Sequence, residues 1–528
     1  MRALAGGERN LYLMGIDVGS TVCKAAIYDA DGSLISIASK EYENLFFSPQ
    51  EEWCEYNPEN LWNIVCECIR KSIQVAKVNP EDIKALSVSV SGESIIPLGR
   101  DGRPAYNGIN WTDRRSNSYK PEREKLENEV GALKVYEITG YPINPVPSSV
   151  KILWFKYERP DVYRKVWKFM LWEDYINWKL TGKAALSYST ASSSQLFDIR
   201  RKKWSEEVLS SLDISPDILS ECLPSGSVIG EVLPEASKET SLSKRTVVAA
   251  GGWDQSCGAL GAGTIYEGET CNTTGTVECI TPVVRKPILN EETLSAGFYC
   301  SPYFTEDSYV YFAWFPTSGA ILKWFKDNFA NKEIELANVT GKDIYDVLVD
   351  MAAQSVPGAN GLLLLPFFEG SGAGQPPTFN IDARGALIGL RLSHGKGDIV
   401  RAILEGVAFQ TRIIIEKVES LGIRITELKA IGGGAKSKLW MQIKADITGK
   451  KIILPDVIEA GTLGAAMLAG VADKVYQDLA QAVKKACRVK GEFYPRSEVT
   501  NIYKKIFDVY KDLYPTFLPI FAKMAAIK

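Results

Sequence analysis

Two stretches of this chain are built alike, and together they constrain its fold more than any other feature. "LYLMGIDVGSTVCKAAIYD" (11–29) and "GETCNTTGTVECITPV" (268–283) each read as an apolar strand, a glycine turn with hydroxyl neighbours, and a second strand. Alternation broken by a glycine turn is a hairpin signal. The chain has 528 residues, too many for one core. One design used twice therefore predicts two related halves, with a boundary near residue 250.

The flanks extend this reading. "DADG" (29–32) is a further turn, and "SLISIAS" (33–39) alternates as a third antiparallel strand. Asn57-Pro58 opens a helix with Asn57 as cap, and Leu61, Ile64, Val65, Cys68 and Ile69 form its apolar stripe. "IKALSVSVSGESIIPL" (83–98) is a strand that runs into a loop at Gly92-Glu93-Ser94, and helix rich in aromatics is expected through 116–180. "RTVVAAGGWDQSCGALGAG" (245–263) reads as strand, Gly-Gly turn and helix start. In the second half, 397–422 is a long helix with Asp398 as cap and Gly422 past its end. Residues 428–449 are strand, triple glycine and helix, 451–456 a strand, and 459–472 a small-residue helix. Over 500–514, Ile502, Ile506, Val509 and Leu513 share one side of a helix. The domains expected are 11–250, 251–475 and a helical tail, 476–528, packed on the second domain.

Composition removes several classes of function. Lys and Arg total 61 against 64 Asp and Glu, which argues against a nucleic-acid binder and against a polybasic membrane binder. No apolar run approaches the ~18 residues of a membrane helix. No signal-peptide apolar region opens the chain, so a cytoplasmic protein is expected. The ten cysteines include no CxxC pair and read as reduced core thiols. The single histidine, His394, makes a Ser-His-Asp mechanism or a multi-histidine metal site a poor fit, so any proton transfer falls to a carboxylate.

Glycine turns let a backbone approach phosphate closely and point several N–H groups one way. There is no GxxxxGK[ST] P-loop and no GxGxxG opening a helix after a strand. Three hydroxyl-flanked glycine turns do recur: "DVGST" (17–21), "NTTGT" (272–276) and "IGGGAKS" (431–437). Each alone is a weak signal, and their order is a stronger one.

That order resembles the superfamily of actin, sugar kinases and heat-shock ATPases, and more narrowly the FGGY carbohydrate kinases. "GALIGLRLSHGKGDIVRAILE" (385–405) matches that family's C-terminal signature, with Gly385, Leu387, Gly389, Leu390, Asp398, Ile399 and Ala402 to Glu405 in place. "PSSVKILWFKY" (147–157) meets the N-terminal signature in part, through Ser148, Lys151 and Trp154, and departs from it at Val146 and Tyr157. The resemblance spans about 11–472. It implies an α/β fold of two ribonuclease-H-like (actin-like ATPase) domains around a central cleft that closes over ATP and substrate and excludes water.

The resemblance also assigns roles. Asp17 would hold magnesium through water, with Asp254 as a second acid at the metal. Gly19, Ser20 and Thr21 would cradle phosphate, with Lys24 adding positive charge; Thr274, Gly275 and Thr276 would form the second phosphate turn. Gly319, Gly433, Gly434 and Lys438 would receive adenosine. Asp254 would be the general base that takes the proton of the attacking hydroxyl. Glu93, Trp111, Asp113, Asp254 and Gln255 are the candidates for substrate. Plainer readings stand beside these: a turn-capping Asp17, a solvated Lys24 or Glu93, a core Trp111, a helix-capping Asp254, and an ordinary helix start at Gly319.

The expected activity is transfer of the ATP γ-phosphate, with Mg²⁺, to a hydroxyl of a small sugar, a ketopentose such as xylulose. Gluconate, or a polyol such as glycerol or erythritol, is the alternative. Glu93 and Asp254-Gln255 resemble glycerol kinases, but Gly92 stands where those have arginine and Val146 near their substrate tyrosine. The Met-His of xylulose kinases is absent from the "SGES" loop, and "SYSTASSSQLFDI" (187–199) looks more like gluconate kinases. A homodimer is what the family suggests. The rival of another class is a sugar-independent, chaperone-like ATPase switch. It would need a peptide-binding or filament module, and the chain shows no candidate for one.

Overall fold

The alternation in the first segment becomes three antiparallel strands, β1 (Tyr12–Val18), β2 (Val22–Asp29) and β3 (Leu34–Glu41), with Asp17 opposite Lys24. The structure, a computed structural model, describes residues 11–115 and 120–527. α1 (Pro58–Ala76) starts where Asn57-Pro58 predicts. The Asn57 side chain accepts from the Glu59 N–H at 2.9 Å, and Pro58 takes the first turn, where its missing N–H costs nothing. β4 (Ile83–Val90) then pairs parallel with β1, a crossover that α1 supplies.

Helices at Lys120–Glu129, Ala132–Thr139, Ser148–Glu158 and Trp172–Thr181 occupy much of the aromatic stretch, with a strand at Val166–Met170 between them. Residues 116–119 of that expected helical region lie outside the described residues. β5 (Val228–Glu231) and β6 (Val247–Trp253) complete a six-stranded sheet in the order β5-β6-β4-β1-β2-β3, and β6 leads into α2 (Asp254–Gly261).

β7 (Glu269–Thr274) and β8 (Glu278–Val284) repeat the opening hairpin. After α3 (Gly319–Phe329) and α4 (Lys396–Ser420), β9 (Glu427–Ile431) pairs parallel with β7. α5 (Lys438–Thr448) then connects to β10 (Lys451–Pro455), parallel to β9. Each half thus holds an antiparallel hairpin whose first strand continues into two parallel neighbours: β2-β1-β4-β6 and β8-β7-β9-β10. Such sheets are buried on both faces. Met14, Ile16 and Val18 join Leu61, Val65 and Ile69 of α1 in one core cluster, while Leu13, Ala26 and Tyr28 join Leu260, Leu463 and Ala466 in another.

The chain divides into two compact units. The first takes the chain through Ile265, Cys300–Val310 and Val457–Arg488; the second takes Tyr266–Tyr299, Tyr311–Asp456 and the chain from Val489. The helix α6 (Ala460–Ala472), which the sequence groups with 251–475, therefore belongs to the first unit. Glycines let its backbone lie directly on β1 and α2. A Cβ at Gly15 would stand 1.8 Å from the Thr462 carbonyl oxygen, one at Gly261 1.9 Å from that of Ala460, and one at Gly464 2.0 Å from that of Cys257. The chain returns to the second unit at β11 (Val489–Phe493), antiparallel to β10.

Two local readings are corrected. Gly395, not Asp398, is the N-cap of α4; Asp398 sits at the third helical position and its Oδ2 accepts from the Gly395 N–H at 2.9 Å. In the helix Ser497–Tyr510 the buried stripe is Tyr503, Phe507 and Tyr510, whereas Ile502 and Val509 are 45% and 57% exposed. The aliphatic and aromatic stripes share one period, and the rings, which have more area to bury, pack around Phe409. The ten cysteines are free thiols, seven of them buried and Cys54, Cys222 and Cys487 half-buried. No helix among the described residues is long and apolar enough to cross a membrane.

Candidate active site

In the first unit the hydroxyls of one strand end meet two carboxylates. β4 carries Ser89 opposite Asp17, and the Ser89 hydroxyl donates to Asp17 Oδ1 at 2.6 Å. Two residues on, and so on the same face, Ser91 donates to Asp254 Oδ2 at 3.4 Å. Asp17 stands one residue before the end of an apolar strand, and the first turn of α6 lies against it: a Cβ at Gly461 would stand 3.1 Å from its Cγ. Burial pushes the Asp17 carboxyl above its usual range, against the Ser89 hydrogen bond and the nearby Lys24 charge. Lys24 itself pairs with Glu459 at 2.6 Å. Among the described residues, Asp17 accepts its side-chain hydrogen bond on Oδ1, from Ser89, and none on Oδ2.

Asp254 is the first residue of α2. The cap is Trp253, so the helix-capping reading of Asp254 does not hold. Its Oδ1 accepts from the Gln255 N–H at 2.7 Å. Burial first, and then the charge of Asp17, pushes the Asp254 carboxyl to about 8. Beside it, Gln255 Oε1 is buried with no hydrogen-bond partner among the described residues. A buried acceptor left unmatched carries a desolvation cost that a ligand hydroxyl would remove.

Glu93 stands on its loop with φ +62° and is buried. Tyr141 donates its hydroxyl to Glu93 Oε1 at 3.0 Å. Burial pushes the Glu93 carboxyl up, against the Lys151 charge and the Tyr141 bond, while burial pushes the Lys151 ammonium down. Trp111 is no free platform: its indole N–H donates to Ser20 Oγ at 3.0 Å, which ties the 17–21 glycine turn to the 110–115 loop. The Ser20 hydroxyl also lies 3.3 Å from that of Ser91. Gly19 closes the turn through its N–H to the Val22 carbonyl at 3.1 Å, leaving Thr21 exposed. Asp113 is the outlier among the substrate candidates. Both its oxygens are taken, Oδ1 by Arg115 Nε at 2.9 Å and Oδ2 by Arg115 Nη2 at 2.9 Å and the Cys54 N–H at 2.6 Å. It holds its loop and leaves no acceptor for a sugar.

The second unit gathers the other predicted turns on one another. Gly319 donates its N–H to the Gly275 carbonyl at 2.9 Å, and Ser318 its N–H to that of Thr276 at 2.9 Å. A Cβ at Gly319 would stand 2.7 Å from the Gly275 oxygen. Gly432, at φ +89°, and Gly434 both lie on Thr274, and any Cβ there would come within 2.6 Å of it. Gly433 faces open space, and Lys438 is exposed at the first residue of α5.

Beneath this cluster is a buried polar group the sequence reading missed. Lys444 of α5 donates to Asn272 Oδ1 at 3.0 Å, to Thr274 Oγ1 at 2.5 Å and to Glu278 Oε1; both ions of the pair are 0% exposed. Ser318 donates to Glu278 Oε2 at 2.8 Å, so one carboxylate joins the 272–276 glycine turn to the start of α3. The signal was present in "WMQIKADI" (440–447), where Lys444 falls among apolar positions. The alternating serines of "SVSVS" (87–91) likewise announced the hydroxyls that meet Asp17 and Asp254.

No group of three or more metal-ligating side chains occurs among the described residues. The donor set still fits a hard cation that keeps most of its waters: two carboxylates, one of which raises the other, with no donor to Asp17 Oδ2 among the described residues. Two α/β units of matching topology, each with a hydroxyl-flanked glycine turn at the end of its first strand, define the two-domain actin-like ATPase fold.

The N-terminal domain model of the FGGY family of carbohydrate kinases matches residues 12–261, and its C-terminal domain model matches 271–472. The chain belongs to this family and is a phosphotransferase acting on a sugar hydroxyl. It is 31% identical over 459 residues to a gluconokinase of Bacillus subtilis (strain 168), covering 87% of this chain and 86% of that protein. It is 29% identical over 504 residues to the xylulose kinase of the same organism, covering 95% of this chain and 96% of that protein. The crystal structure of gluconate kinase from Lactobacillus acidophilus superposes with a TM-score of 0.86 at 25% identity, over 98% of this chain and 100% of that one. A sugar kinase implies ATP as phosphate donor, and these matches set aside the chaperone-like rival.

Proposed function

We propose that the chain transfers the γ-phosphate of ATP to a hydroxyl of a small ketopentose such as xylulose, with Asp254 as general base. The observation that carries this is the Asp254 carboxylate, whose proton affinity is raised to about 8 beside the unmatched Gln255 Oε1. An acceptor hydroxyl there gives its proton to Asp254, while Gln255 and Glu93 hold its neighbours. Gly19, Ser20 and Thr21, and Thr274, Gly275 and Thr276, hold the phosphates; Gly319, Gly433, Gly434 and Lys438 hold the nucleoside. Asp17, with Asp254, would hold magnesium, which when bound would supply charge neutralisation at the phosphates.

One observation favours a second substrate. The buried Lys151 ammonium, together with Arg114, is felt by Glu93, a setting that also suits the carboxylate of gluconate. The gluconokinase match and the serine-rich 187–199 segment support the same reading. ADP release with Mg-ATP, measured against D-xylulose, L-xylulose, D-ribulose, gluconate, glycerol and erythritol, tests both. A ketopentose raising the rate far above the others supports the first reading, and gluconate doing so supports the second. A best response to a polyol refutes both.

A further inference from the structure

β6 does not run evenly beside β4. Ala249 pairs with Ser87 but Gly252 with Ser89, so one extra residue is inserted just before the Gly-Trp-Asp end of the strand. Such a bulge re-aims the side chains beyond it. Gly251 is the residue that permits it: a Cβ there would stand 1.8 Å from the Val88 carbonyl oxygen. The Gly251 N–H finds its partner in the Glu173 carboxylate, whose Oε1 accepts it at 2.8 Å.

Glu173 lies on the helix Trp172–Thr181 and is 0% exposed. The same Oε1 accepts the Ser187 N–H at 3.0 Å, and Oε2 accepts the Ser187 hydroxyl at 2.7 Å. Ser187 in turn caps the short helix Tyr188–Ser192 by accepting from the Thr190 N–H. That helix serves both functional acids. Ser189 Oγ accepts the Trp253 N–H at 3.3 Å, one residue before Asp254. Just past its end, Ser193 Oγ accepts the Glu93 N–H at 3.2 Å and donates to the Thr190 carbonyl at 2.8 Å.

We propose that Glu173 is a positioning residue: one buried carboxylate clamps the bulge that delivers Asp254 and the serine-rich turn that holds Glu93, and so sets the placement of the base relative to the substrate-binding acid. This rests on the roles given to Asp254 and Glu93 above. The clamp depends on oxygen position more than on charge, because both N–H groups go to Oε1. Glu173→Gln retains that oxygen. Glu173→Asp is one methylene too short to reach both.

The test is steady-state kinetics on the full chain with Mg-ATP and whichever of D-xylulose and gluconate turns over, with kcat referred to folded protein by the amplitude of the melting transition. Glu173→Gln is expected to stay within about 3-fold of the parent, while Glu173→Asp loses about 10–100-fold in kcat and raises the sugar KM, with the ATP KM unchanged. A purely structural role would lower the folded fraction without this split. Parental kcat and sugar KM per folded molecule in Glu173→Asp, or an equal loss in Glu173→Gln, overturns the proposal. Asp254→Asn is assayed in parallel. If it keeps sugar-dependent turnover, the base assignment fails; if it is inactive while Glu173→Asp is parental, only the positioning role fails.

Discussion

The most demanding perturbation is Lys444→Met, because it removes one member of a fully buried ion pair. Lys444 and Glu278 are both 0% exposed. Without the ammonium, Glu278 retains neutral donors: Asn272 Nδ2 at 2.6 Å, Ser318 Oγ at 2.8 Å, and the Thr274 and Thr411 hydroxyls at 3.4 Å. These four bonds soften the loss but leave the charge uncompensated. Breaking a buried pair on one side costs about 3–5 kcal/mol, and the remaining donors place this case near ~3 kcal/mol. At about 2–4 °C per kcal/mol for a unit of this size, the melting temperature falls by roughly 6–12 °C. Glu278→Gln combined with Lys444→Met removes both charges and recovers most of that loss. The assay is denaturant unfolding of the full chain, fitted for more than one transition because two units need not unfold together. The ATP KM should rise in the single variant, since Thr274 Oγ1 loses its 2.5 Å partner. A single variant that loses less than about 1 kcal/mol, or a double variant less stable than the single, would refute this account of the pair.

Two further outcomes follow from the geometry. Burial holds the Asp174 carboxyl at about 8 against an ordinary 3.8, so between those values the folded chain keeps a proton the unfolded chain has lost, and stability falls as pH rises through that window. Asp174→Asn should flatten that fall, read from denaturation midpoints at about pH 5 and about pH 8; an unchanged slope contradicts it. Gly461→Ala sets a methyl 3.1 Å from Asp17 Cγ, tighter than ordinary contact, while improving the helix. The magnesium concentration for half-maximal rate should rise with little change in melting temperature, and an unaltered magnesium dependence would show that α6 does not bear on Asp17.

Much of this was legible in the sequence, for identifiable reasons. The hairpins at 11–29 and 268–283 are local, so alternation and a glycine turn specify them without knowledge of the rest. The cap at Asn57 and the strand–glycine–helix at 428–449 are local too. What the sequence did not disclose is pairing over long separations. The small residues of 459–472 announce close packing but not its partner, which proves to be Gly15 of the first strand and α2. Asp113 looked available until Arg115, two residues on, folded back onto it under Trp53 and Trp154. Glu173 is one acid within the aromatic-rich helical stretch, and its placement appears only when Gly251 and Ser187 are brought to one oxygen. In the tail, two stripes shared one period, and only packing chose the rings.

The central claim, that Asp254 is the base of a sugar kinase, is tested most directly by ADP release from Asp254→Asn with Mg-ATP and the substrate the parent prefers, alongside ATP binding by titration. The account predicts a fall in kcat of about 10²–10⁴-fold with ATP affinity unchanged. Sugar-stimulated turnover at the parental rate would contradict it.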